Sequence, residues 1–117
     1  MAQRDSPSSP NSGYKAMWLF AMFDLPVGTK LQRKRYSRFR KHLLYEGFCR
    51  LQFSVYARHC PSEDSAGHCR DLVAAELPSE GQVRLIAVTD RQFGKMEVFV
   101  GETSIAPESA PVQLMLF

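Results

Sequence analysis

Asp24 stands where the apolar run Ala16 to Phe23 stops and a Leu-Pro-Val-Gly turn begins. A carboxylate held by a rigid strand end yet open to water suits a hard cation such as magnesium. A single carboxylate is too few ligands for a tight magnesium site, so a second copy of the chain or a substrate phosphate must complete the shell. The plainer reading is a turn or capping residue. A few residues on, Lys30, Arg33, Lys34, Arg35, Arg38, Arg40 and Lys41 form a run of seven cations with no acid among them. Such a run repels itself and is better explained by an anionic partner than by folding, the alternative being a solvated helix face. Arginine outnumbers lysine there, and planar guanidinium groups favour bidentate phosphate contact, so nucleic acid leads over membrane lipid. A third set is Arg50, Ser54 and Tyr56, which alternation along a strand places on one face together with Gln52. That face lines a polyanion groove on one reading. On the other, Tyr56 and Ser54 are packing residues.

These groups need a scaffold. Ala16 to Phe23 is continuously apolar and predicts a central strand buried on both faces. Thr29 caps a helix over 30–46, with Gln32, Tyr36, Phe39 and Leu43 on its sheet-facing side and Gly47 as its stop. Residues 48–58 alternate and are rich in aromatics, which predicts two short strands or one strand bent near Leu51 and Gln52. A second helix starts at Pro61-Ser62-Glu63-Asp64 and runs to Leu77, before Pro78. Gln82 to Thr89 and Glu97 to Gly101 read as further strands. The order fits an α+β fold, a ferredoxin-like βαββαβ sandwich with an additional C-terminal strand. The expected division is a disordered tail over 1–14, the domain over 15–101, and a linker with a docking strand over 102–117. The chain ends in VQLMLF, whose apolar residues Leu114, Leu116 and Phe117 need something to dock on.

Composition narrows the function classes. The chain has 117 residues and a formal charge of +3, but outside 30–41 it carries eight basic against twelve acidic residues. The basic character is therefore local. An apolar fraction of 44% supports a real core. The longest apolar run, eight residues, is far below the roughly 20 needed for a membrane-spanning helix, and the N-terminus lacks the apolar core of a secretory signal. A cytoplasmic protein without membrane attachment is expected. Three cysteines, Cys49, Cys60 and Cys69, argue against a disulfide framework. His59-Cys60 and His68-Cys69 offer zinc-type ligands, but neighbours on a strand point apart and no CxxC spacing exists, so buried or idle side chains are the favoured reading.

Taken together, WLFAMFDLP, the basic helix, GFCRLQFSVYARHC and VRLIAVTDRQFGKMEVFVG resemble the CRISPR-associated protein 2 family, in the variety that accompanies type II systems. The resemblance runs from Met17 to Gly101. It implies a ferredoxin-like homodimer that sits between two dimers of the CRISPR integrase subunit during spacer acquisition. It also implies a metal-dependent nuclease acting on single-stranded RNA or double-stranded DNA. By motif, Asp24 matches the family's metal-binding aspartate, paired with its symmetry mate across the dimer. Arg38, Arg50 and Tyr56 match positions near the cleft or substrate path. Where many members have Tyr before the aspartate, this chain has Phe23. In the enzyme reading, Asp24 from both subunits holds magnesium, Arg38 or Arg50 neutralises charge developing on phosphate, and His59 is the nearest candidate base. In the alternative reading the dimer is a non-catalytic platform whose basic residues, with Arg50, hold duplex DNA. The terminal Gln113-Leu114-Met115-Leu116-Phe117 resembles the QLxLF peptide that binds the replication sliding clamp. Strand addition to the neighbouring protomer or the integrase subunit is the favoured reading of that segment.

Overall fold

The computed structural model describes residues 15–110. Its first strand, β1 (Met17–Asp24), leads into α1 (Lys30–Tyr45), then β2 (Cys49–Gln52), β3 (Val55–Cys60), α2 (Glu63–Ala74) and β4 (Gln82–Thr89). A short helix, α3 (Asp90–Gly94), and a hairpin of β5 (Val98–Val100) and β6 (Thr103–Ile105) follow.

The sheet is antiparallel with the order β2-β3-β1-β4, the ferredoxin-like arrangement. β1 lies inside it, bonded to β3 on one side and β4 on the other. This is why its sequence is apolar without alternation: one face packs under the helices, and the other carries a smaller apolar cluster with Phe20 and Met22 half-buried. Met17, Leu19, Ala21 and Phe23 pack under α1 and α2 with Phe39, Leu43, Tyr56, Cys60, Cys69 and Val73. On the opposite face Trp18 joins Ala57 and Phe93, with Phe20, Leu51, Val88 and Met96 beside them. Trp18 and Phe93 stack with centroids 4.0 Å apart, and the indole Nε1 donates to Asp90 Oδ1 at 2.7 Å.

Local chemistry sets the helix ends. Thr29 accepts from the Gln32 backbone N–H at 3.1 Å while the Gln32 side chain accepts from the Thr29 N–H at 3.0 Å, a reciprocal cap worth about 1 kcal/mol. Gln32 thus caps α1, and the sheet-facing side is left to Tyr36, Phe39 and Leu43. Gly47 follows with φ of 92°, the left-handed conformation that stops α1. Ser62 and Ser65 form the same kind of cap on α2. α2 ends at Ala74, three residues short of the expected Leu77, and residues 75–77 turn away ahead of Pro78.

Two differences from the sequence expectation concern the C-terminal half. The stretch after Gly101 reads as linker in the sequence, yet Thr103–Ile105 pairs with Val98–Val100. The additional strand therefore belongs to a separate two-stranded hairpin instead of extending the main sheet. The short α3 has no counterpart in the expected element order, and it supplies Phe93 to the second face. No helix among the described residues is long and apolar enough to cross a membrane. The N-terminal stretch 1–14 and the docking residues Leu114, Leu116 and Phe117 lie outside the described residues.

Candidate functional site

Asp24 is the last residue of β1, paired in register with Gln82 of β4, and its side chain is exposed. Alternation puts it on the same sheet face as Phe20 and Met22, away from the helices. It borders a cleft of about 250 Å³ with Met22, Phe23, Ser54, Val55, Gln82 and Arg84. The Phe23 N–H donates to the Ser54 carbonyl at 3.1 Å, which ties the β2–β3 turn to the end of β1 and fixes one wall. On the other wall Arg84 Nε donates to Gln82 Oε1 at 2.9 Å. Ser54, Gln82 and Arg84 are thus the side chains that share a cleft with Asp24. Sequence reasoning missed Gln82 and Arg84, although both lie on alternate positions of the QVRLIAVT strand and alternation marks them as one face.

The cleft holds one carboxylate, Asp24, with the Ser54 hydroxyl, beside the Arg84 guanidinium and the apolar Met22 and Val55; its oxygen donors fit a largely hydrated magnesium ion better than a soft metal. No group of three or more His, Cys, Asp or Glu side chains comes together among the described residues. One chain therefore contributes one carboxylate, and zinc ligation by the two His-Cys pairs has no assembled site. Instead Cys60 of β3 and Cys69 of α2 are fully buried, the Cys60 thiol donating to the Arg58 carbonyl at 3.6 Å, while Cys49 is exposed. The neighbouring Cys60 thiol and Arg58 guanidinium favour the Cys69 thiolate and lower that thiol below its usual range, to about 6. Cys60 is pushed up by the same contact and by burial. Burial and the charge of Glu108 raise Cys49.

The remaining sequence candidates lie apart from Asp24 within the chain. Tyr56 is fully buried in the helix-side core, tilted against Phe23 with centroids 5.6 Å apart, and its hydroxyl has no hydrogen-bond partner. Arg38 borders a different groove of about 280 Å³ between α1 and the residues after α2, with Arg35, Phe39, His42, Leu77 and Ser79. Arg50 is exposed on β2, its guanidinium carbon 5.5 Å from the centre of the Phe53 ring. Arg50 and Tyr56 do share a face, but by direct cross-strand pairing around the Phe53-Ser54 turn, with a register shift after Arg50. They are not alternate positions of one strand. His59 pairs with Trp18, its ring edge-on at 5.3 Å, which is six residues or roughly 20 Å along β1 from Asp24. That distance removes it as a base for Asp24 chemistry within one chain.

The basic run is one helix, as expected. Lys30, Lys34, Arg38 and Lys41 are exposed, and Arg40 is half-buried. Two of the seven are otherwise engaged. Arg33 Nη1 donates to the carbonyls of Val27 and Gly28 at 3.1 and 3.4 Å, clamping the loop after Asp24. Arg35 pairs with Glu80 at 3.3 Å. Both pairings are long-range or loop interactions that charge patterning could not reveal.

Comparison with known proteins agrees with this architecture. The family described as CRISPR associated protein Cas2 matches residues 17–96, from the start of β1 through α3. A protein from Parvibaculum lavamentivorans, named CRISPR-associated endoribonuclease Cas2, is 46% identical over 101 residues, covering 86% of this chain and 100% of that relative. Proteins of the same name from Flavobacterium psychrophilum and Paracidovorax avenae are 39% and 41% identical, covering 89% and 91% of this chain and 90% and 98% of their own lengths. With its sheet order and these matches in agreement, the chain belongs to the CRISPR associated protein Cas2 family.

Proposed function

We propose that this protein is a magnesium-dependent endonuclease-type homodimer that binds nucleic acid and bridges integrase dimers during spacer acquisition. The observation that carries the nuclease reading is the position of Asp24, exposed at the end of the central strand in a cleft shared with Ser54, Gln82 and Arg84, one short loop before the cationic helix. The relatives' name, endoribonuclease, makes RNA the first substrate to try, with double-stranded DNA the spacer precursor.

Asp24 of each subunit would hold the metal. Bound there, magnesium polarises a phosphoryl oxygen and lowers the pKa of water. The chain's own residues bind and orient: Lys30, Lys34, Arg38, Arg40 and Lys41 attract the phosphate backbone, and Arg33 holds the loop behind Asp24 in place. Support for a dimer comes from the open face of the sheet. Phe20, Met22, Leu51, Val55, Met96 and Val98 line a mainly apolar hollow of about 350 Å³ that Gln52, Glu97 and Glu108 also border, and Ile86, paired with Phe20, is 52% exposed. Asp24 lies on that same face, so a copy docked there supplies the second carboxylate.

A second reading, a platform without turnover, is favoured because no group of three or more His, Cys, Asp or Glu side chains comes together among the described residues. The two separate on one comparison. Asp24→Ala abolishes metal-dependent cleavage in the enzyme reading, whereas normal spacer acquisition by that variant assigns the biological role to the platform. For the C-terminal segment, a clamp pull-down abolished by deleting Leu116 and Phe117 would decide for the sliding clamp over strand addition to the protomer or integrase.

A further inference from the structure

Phe53 is 70% exposed at the tip of the turn between β2 and β3. A single exposed apolar side chain is ordinary on a protein surface. This one has organised surroundings. The Arg50 guanidinium carbon lies 5.5 Å from its ring centre, and Tyr36 of α1 lies near parallel to it at 23°, with centroids 6.0 Å apart. Tyr36 in turn leans on Phe23, the residue before Asp24, at 5.9 Å. The backbone bond from Phe23 to Ser54 fixes the turn that presents the ring.

The contact with Tyr36 puts Phe53 on the helix side of the sheet, away from the open apolar face that carries Phe20 and Met22. Its neighbours there are cations. Arg40 lies four residues from Tyr36 on α1, and Arg50 stands over the ring. An exposed, rigidly held aromatic ring beside arginine and a basic helix is the arrangement that binds unpaired bases. The ring stacks on the base, and the cations take the phosphates on either side. A ring held in place in advance loses little freedom on binding. A protein partner fits less well, because charged residues surround the ring where an interface core would be depleted of charge.

We infer that Phe53, supported by Tyr36 and Arg50, is a stacking platform for an unpaired nucleobase, placed so that single-stranded nucleic acid or a frayed duplex end is held beside the basic helix. The inference rests on the nucleic-acid reading of α1 and specifies the kind of strand bound.

The test uses the full chain with two probes, a blunt DNA duplex and the same duplex carrying a short single-stranded tail whose first unpaired base is 2-aminopurine. Wild type is expected to prefer the tailed probe and to quench its fluorescence. Phe53→Ala should weaken binding of the tailed probe about tenfold, abolish the quenching and leave the blunt duplex unaffected. Phe53→Tyr should restore both. Equal binding of the tailed probe by wild type and Phe53→Ala overturns the platform while leaving backbone binding by α1 intact. Failure of wild type to bind either probe overturns the nucleic-acid reading itself. A change in oligomeric state on Phe53→Ala, read by light scattering, assigns the ring to a protein contact and also overturns the proposal.

Discussion

Gly81 packs against the backbone of Asp24 so closely that a methyl group on it would stand 2.6 Å from the Asp24 carbonyl oxygen. Its φ of 89° is in addition one that side chains disfavour. The loop entering β4 is thereby moulded onto the end of β1, and the position of the carboxylate depends on a residue distant in sequence. Gly81→Ala is expected to cost about 2 kcal/mol or more in urea unfolding and to impair any metal-dependent cleavage, because Asp24 must move to make room.

Asp24→Asn keeps the size and removes the charge. In the enzyme reading, losing a metal held there removes several kcal/mol and predicts a fall in cleavage of about two orders of magnitude or more, with duplex binding retained. Full activity in this variant, measured with magnesium and again with chelator, would sink the assignment.

For the basic helix, Lys34 and Lys41 are better probes than Arg33, whose guanidinium braces the loop behind Asp24. Replacing both lysines by alanine should lower the slope of log affinity against log salt by about 1.8, roughly 0.9 for each phosphate that is no longer neutralised. Arg33→Ala should instead destabilise the Val27-Gly28 loop. Fluorescence titrations over a salt series separate the two effects.

Tyr56→Phe tests a resemblance-derived role against burial. The hydroxyl sits in the core without a hydrogen-bond partner, so its removal should raise stability by about 1 kcal/mol and leave cleavage unchanged. A loss of activity at unchanged stability would return Tyr56 to the catalytic set.

The buried thiol pair makes stability pH-dependent. Cys69, beside Cys60 and Arg58, gives up its proton in the folded state near 6, whereas the unfolded chain holds it to about 9.0. Between those values the unfolded state binds more protons, so this contribution grows as pH rises and is lost as pH falls through 6. Cys60 is raised above 9.0 and acts in the opposite sense only at more alkaline pH. Urea midpoints should therefore climb from pH 6 to pH 9 in wild type, and Cys69→Ser should flatten that climb.

Local interactions made much of this protein legible from its sequence. The apolar run of β1, the reciprocal cap of Thr29 and Gln32, the left-handed stop at Gly47 and the cationic face of α1 all depend on residues within a turn or two of one another. Such features follow from periodicity and short-range hydrogen bonding, which the order of residues determines directly. Tertiary structure decided the rest. Alternation alone placed Arg50, Gln52, Ser54 and Tyr56 on one strand face, but the chain reverses at Phe53-Ser54 and shifts register, so only Arg50 and Tyr56 meet, across the hairpin. The same fold buries the Tyr56 hydroxyl, brings Cys60 beside Cys69, turns Arg33 to its loop and sets Phe53 beside Arg50 and Tyr36. Each of these arrangements depends on which strand pairs with which and in what register. A shift of one residue in that pairing would turn every side chain of the strand to the opposite face.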